Sequence, residues 1–288
     1  NGKDDDGNGY IDDIRGWNFV SHNNNPMDDN GHGTHVAGTI GAVGNNGIGV
    51  AGVAWNAKLM ALKFLDSTGS GMLSDAVSAI DYARTNGAKI INASWGGGGF
   101  SSVLQSAIQR FQDAGGIFVT AAGNEASNNT RVASYPANYA LANVVSVAAS
   151  TSYDTLASFS NYGANVDIAA PGQSILSTVP GDRYAVYSGT SMATPHVAGA
   201  MALLWGQAPA LTAAQLIDLV MSNTDSVLLA QTAHGRLNVG KAAATLHAST
   251  GGTTDTVSPY VTAASWNQSA SGLTSVDITF SEIIKAGS

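Results

Sequence analysis

The chain has 288 residues, 44% hydrophobic and 11% charged, enough apolar content for one large core and a smaller remainder. With 20 acidic against 12 basic residues the net charge is −8, which argues against a nucleic-acid partner. Cysteine is absent, so neither a disulfide nor a cysteine nucleophile is available, and no apolar run of about 18 residues marks a membrane span.

The first fifteen residues are crowded with carboxylates. Asp4, Asp6, Asn8 and Asp12 fall where a calcium loop places side-chain oxygens, Tyr10 where it uses a backbone carbonyl, and Gly9 where it turns. Arg15 stands where such a loop has a bidentate glutamate, and Asp13 is the nearest replacement. Carboxylates packed this closely repel unless a cation gathers them, so calcium is expected, against the plain alternative of a solvated acidic loop. Residues 16–31 read as polar loop, with Asp28 and Asp29 as turn and cap residues.

A helix is expected from His32 to about residue 43, with His35 one turn along. The two histidines lack the glutamate of an H-E-x-x-H site, which disfavours a metal there. Glycine-rich residues 44–50 follow as a loop. Strands and helices then alternate: strand 58–65, helix 74–85 with Val77, Ile80 and Ala83 inward, strand 89–94. Helix 101–114, with Leu104, Ile108 and Phe111 inward, and strand 117–122 come next, then strands 144–149 and 166–169. This order gives an α/β fold with a parallel sheet covered by helices. Ligands of such sheets sit beyond the carboxyl ends of the strands, where Ser94 and Asn124 fall.

Residues 189–199 read GTSMATPHVAG, a tight turn entering a helix that is apolar nearly all round and therefore buried. The first N–H groups of that helix and its dipole favour negative charge beside the Ser191 hydroxyl. Pro195 is expected in the first turn, where no hydrogen bond is lost, and His196 is read as a structural histidine. A further helix from about Thr212 and an alanine-rich helix to Leu246 close a domain of residues 1–247. Residues 248–257 read as a linker. From residue 258 short alternating runs such as 276–280 suggest the start of an immunoglobulin-like β-sandwich module, too short here to bury its own core.

A serine before a helix is ordinarily a cap; a nucleophile needs a base and an oxyanion donor as well. Residues 29–39 read DNGHGTHVAGT and residues 119–125 read VTAAGNE. With 189–199 they stand in the order histidine, asparagine, serine, and the chain resembles the subtilisin-like serine proteases, the subtilases. The resemblance implies a three-layer α/β fold and a secreted, calcium-stabilised endopeptidase acting on polypeptides, made with a pro-segment. It assigns Ser191 as nucleophile, His32 as proton shuttle and Asn124 as oxyanion donor. It also places Gly69, Ser70, Gly71, Ser94, Trp95 and Gly96 along two walls of a peptide cleft, and allows a second calcium at 44–50.

In that family the triad aspartate ends an early core strand in an Asp-Ser/Thr-Gly segment ahead of the histidine. No such segment occurs in this sequence, and Asp12, Asp13, Asp28 and Asp29 follow no apolar strand. The expectation is therefore an internal piece of a longer precursor, lacking the N-terminal strand and nearly inactive by itself. A catalytically dead subtilase fold serving as a calcium-bound scaffold is the rival reading. An esterase of the α/β-hydrolase type fails, because no G-x-S-x-G surrounds Ser191 and the histidine precedes the serine.

Overall fold

The strand Ile117–Ala121 sets the plan of the molecule: Ile117 and Val119 enter one core and Phe118, pointing the other way, enters a second. The computed structural model describes residues 1–249, 261–269 and 272–280, with side chains described through residue 249. The chain divides into two compact units, Asn1–Leu246 and His247–Ser288.

In chain order the first unit contains β1 (Gly16–Asn18), α1 (His32–Gly41), β2 (Ala61–Lys63), α2 (Leu73–Thr85), β3 (Ile90–Ala93), α3 (Ser102–Asp113), β4 (Ile117–Ala121) and β5 (Val144–Ser150). There follow β6 (Ile168–Pro171), β7 (Ile175–Val179), β8 (Arg183–Tyr187), α4 (Thr190–Gln207), α5 (Ala213–Met221) and α6 (Val239–Ser249). The sheet β3-β4-β5-β6 is wholly parallel, with Val119 opposite Val145 and Val147 opposite Ile168. On one face Ile80 of α2 and Leu104, Ile108 and Phe111 of α3 pack on Phe118. On the other, Val197, Met201 and Leu204 of α4 and Leu216 and Val220 of α5 pack on Ile117, Val145 and Ile168. Three layers result, as expected.

Local chemistry fixes the ends. Ser101 Oγ accepts from Leu104 N at 3.3 Å to start α3, and Gly115, at φ +79°, takes the left-handed turn that stops it. Thr212 and Gln215 form a reciprocal capping box on α5.

Several boundaries depart from expectation. The strand expected at 58–65 is only Ala61–Lys63, and it pairs in parallel with β1, inside the stretch read as polar loop. The strand expected at 166–169 is Ile168–Pro171. Val77 is half-buried, whereas Ile80 and Ala83 are buried as expected. The antiparallel hairpin β7–β8 has no counterpart in the sequence reading; it turns through Pro180-Gly181-Asp182, with Gly181 at φ +84° and Asp182 at +55°. The last helix runs to Ser249, so the span read as linker begins inside it.

Among the described residues β2 and β3 pair with β1 and β4 alone. A broad open cavity of ≈ 2310 Å³ is lined by both, from Leu62 and Lys63 to Ile90 and Asn92, and reaches His32 and Ser191.

In the second unit β9 (Val261–Ser269) and β10 (Gly272–Phe280) form an antiparallel hairpin, with Val276 opposite Trp266 and Ile278 opposite Ala264. The run 276–280 lies in β10; residues 250–257 of the expected linker and 281–288 of the expected module lie outside the described residues.

Candidate active site

Ser191 is the second residue of α4, and Gly189 is its N-cap. Gly189 has φ 162°, extended backbone open to any residue, so its lack of a side chain matters for space. A Cβ there would stand 3.6 Å from Ser191 N and 3.7 and 3.8 Å from Asn124 Oδ1 and Nδ2. Asn124 Oδ1 accepts from Thr190 N at 2.8 Å and Thr190 Oγ1 at 3.0 Å, which leaves Nδ2 as the amide's donor.

Pro195 lies beyond the first turn of α4, contrary to expectation, and without an N–H it leaves the Ser191 carbonyl unbonded within the helix. Ser94 Oγ donates to that carbonyl at 2.8 Å, and Ser191 Oγ donates to the Ser94 carbonyl at 3.0 Å. Ser94, at the carboxyl end of β3, is thereby joined to the nucleophile turn.

His32 opens α1. Asp28 secures that helix start: its carboxylate accepts from Asn30 N, Gly31 N, Thr34 N and Thr34 Oγ1 at 2.6–2.9 Å. Burial alone would raise the Asp28 pKa, but the Thr34 hydroxyl and these backbone N–H groups hold it down to about 2. The expected turn-and-cap role is found. Burial, then the nearby His35, lowers the His32 pKa, so the ring is neutral at pH 7. His32, Asn124 and Ser191 line one cavity of ≈ 430 Å³ with Val186, Tyr187, Ser188, Gly189 and Met192. The last five went unread as site residues; the Gly181-Asp182 turn signal was the one clue to the strand that carries the first two.

Gly69, Ser70, Gly71, Ser94, Trp95 and Gly96 all line the larger cavity, together with His32 and Ser191. Trp95 is half-buried with its ring edge-on to Phe64 at 5.1 Å, so it serves packing as well as the wall. His196 is half-buried, with Nδ1 2.8 Å from the Met192 carbonyl one turn back on its own helix. His35, one turn along α1, is fully buried.

In the acidic loop Asp4 accepts from Gly7 N, Asn8 N and Gly9 N, and curls the chain around itself. Asn8 Nδ2 donates to Asp6 Oδ2 at 3.1 Å, Asp13 Oδ2 at 2.9 Å and Asn86 Oδ1 at 3.0 Å. Three side-chain oxygens thus accept from one amide nitrogen. Asp12 is engaged apart from them, by Gly2 N at 2.7 Å, and the Tyr10 ring packs edge-on against Trp17 and Tyr82. Among the described residues no three His, Asp or Glu side chains form a ready metal cage.

A parallel sheet between helices, a serine on a buried helix start, and a histidine and an asparagine on the same cavity define a subtilisin-type α/β protein. The profile described as "Subtilase family" matches residues 1–245, and the chain belongs to that family. It is 50% identical over 194 residues to the thermophilic serine proteinase of Bacillus sp. (strain AK1), covering 67% of this chain and 47% of the relative. With thermitase of Thermoactinomyces vulgaris it shares 43% identity over 231 residues, 80% of each chain. Subtilisin E of Bacillus subtilis (strain 168) is 47% identical over 209 residues, 72% of this chain and 54% of the relative. The chain thus spans about half the length of the first and third of these relatives. A crystal structure of a cold adapted subtilisin-like serine proteinase superposes with TM-score 0.66 at 39% identity, covering 74% of this chain and 75% of that one.

Proposed function

We propose that the protein is a secreted serine endopeptidase in which Ser191 attacks the peptide carbonyl and His32 takes its proton. The observation that carries this is the cavity that His32, Asn124 and Ser191 share at the start of α4, where Ser191 N and Asn124 Nδ2 could donate to a carbonyl oxygen as it gathers charge. A substrate chain lies between residues 69–71 and 94–96 as an added strand, since their side chains, Trp95 apart, are small and leave main-chain groups within reach. Before attack the Ser191 hydroxyl leaves the Ser94 carbonyl and turns to His32, whose neutral ring is ready to act as base.

His32 needs a carboxylate to orient it. No Asp-Ser/Thr-Gly segment stands ahead of residues 29–39 in this sequence to supply it. The 288-residue chain alone is accordingly expected to be nearly inactive. Asp6, Asn8 and Asp13, with Asp4, Tyr10 and Asp12 shaping the loop, would hold calcium, which supplies positive charge among crowded carboxylates. A pro-segment, the 44–50 calcium loop and a β-sandwich module beginning near residue 258 belong to the same reading.

The test is hydrolysis of an internally quenched peptide by the full-length protein beside its Ser191→Ala variant. Cleavage that falls to background in the variant is expected. Cleavage that survives the substitution, or a full-length protein that neither cleaves peptides nor reacts with a sulfonyl fluoride at Ser191, overturns the reading in favour of a scaffold.

A further inference from the structure

We propose that His35 is a positioning residue for the reaction at Ser191: it pins the β7–β8 hairpin, and through it the nucleophile turn, to the helix that carries His32. The proposal rests on the peptidase reading of the site. His35 is fully buried one turn after His32, and its Nε2 lies 3.0 Å from the Ile175 carbonyl and 3.2 Å from the Ala185 carbonyl. Carbonyls only accept, so Nε2 carries the proton, and one N–H ties both strands of the hairpin. Nδ1 has no hydrogen-bond partner and is sealed from solvent. A ring chosen only to fill space would not carry that unsatisfied nitrogen; the donor on its far side is what this position uses.

The rest of the seam agrees. The imidazole stacks on Tyr187, centroids 4.5 Å apart and planes 14° apart. A Cβ at Gly31 would stand 3.4 Å from the Tyr187 hydroxyl, so that tyrosine also abuts the residue before His32. Ser177 Oγ donates to the His35 carbonyl at 2.7 Å and Thr178 Oγ1 to the Thr34 carbonyl at 3.0 Å. A Cβ at Gly38 would collide with Thr178 Oγ1, so helix and strand touch at backbone distance. From Tyr187 two residues, Ser188 and Gly189, lead into α4 and Ser191. Base and nucleophile, far apart in sequence, are therefore linked through this seam in addition to the direct packing of α1 on α4.

The test compares His35→Phe, which keeps the ring and loses the donor, with His35→Gln, which offers an amide N–H at nearly the same reach, in the full-length protein. His35→Phe is expected to lower kcat by ~10- to 100-fold with little change in KM, as a displaced but intact site does. Amide hydrogen exchange should quicken over 175–191 while β4 and β5 stay protected, and His35→Gln should recover most of both effects. Ser177→Ala, which leaves His35 in place and loosens the seam from the hairpin side, should move the same readouts in the same direction and remains usable if His35→Phe does not fold. Unchanged kcat in His35→Phe, exchange that quickens equally in β4 and β5, or His35→Gln no better than His35→Phe overturns the proposal. Should the unsubstituted protein cleave no peptide, the peptidase reading fails separately and the exchange pattern still decides whether the seam holds the turn.

Discussion

Ser94 and Ser191 hold one another, each hydroxyl donating to the other's carbonyl, at 2.8 Å and 3.0 Å. The pair exists because Pro195 cannot supply the helical N–H that the Ser191 carbonyl would otherwise receive. Ser94→Ala should therefore leave that carbonyl, and Asn92 Nδ2 which donates to Ser94 Oγ at 2.9 Å, without partners. A loss of about 1–3 kcal/mol is expected in denaturant unfolding. An unchanged midpoint and slope would show that water replaces the hydroxyl at no cost.

Asn124→Leu should leave folding intact and cut turnover by ~10²–10³-fold, the scale established for this kind of donor in subtilisin itself. KM should move little, because the donor acts on charge that develops in the transition state. The Thr190 N and Oγ1 bonds to Asn124 Oδ1 are lost too, so the measurement pairs kcat with a thermal melt. A turnover within a few-fold of the parent protein would remove Asn124 from the oxyanion site.

The core elements were legible because their physics is local. Helix α3 shows its cap at Ser101 and its buried stripe at Leu104, Ile108 and Phe111, and β4 is a mostly apolar run, broken by Thr120, buried on both faces. The hairpin β7–β8 was not legible because its pattern is inverted. Ser177 is fully buried, spending its hydroxyl on α1, while Leu176 is 52% exposed and Val186 59% exposed. A reading that sends apolar residues inward misassigns such a strand. His32, Asn124 and Ser191 were found through motifs; that they meet on one cavity follows from sheet topology, which no window of sequence contains.

Asp28 gives the helix start a pH dependence whose sign can be stated. Its folded pKa, about 2, lies below the ordinary carboxylate value of 3.8, so its contribution is complete above the ordinary value and is lost as pH falls towards 2. Partial exposure reduces the size of the effect without altering its sign. Asp28→Asn should lower stability at pH 7 and flatten the acid limb of the unfolding curve between about pH 4 and 2. Chemical denaturation at several pH values measures this, and an acid limb with unchanged slope would mean that the carboxylate does not hold α1.

Calcium should act on stability through the acidic loop. Asp13 is the residue to change, since its carboxylate accepts from Asn8 and from the Tyr82 hydroxyl and so couples the loop to α2. A native-only site at a hundred times its dissociation constant adds about 2.7 kcal/mol, worth several degrees in Tm for a domain of this size. Melting in millimolar calcium against melting in chelator should show that difference, and Asp13→Asn should abolish most of it. Asp29→Asn is the control: Asp29 pairs with Lys63 at 2.6 Å outside the loop, and its removal should leave the calcium response whole. Equal melting in calcium and chelator would reject the site. A full response in Asp13→Asn would move the ion elsewhere, with the loop at residues 44–50 the next place to probe.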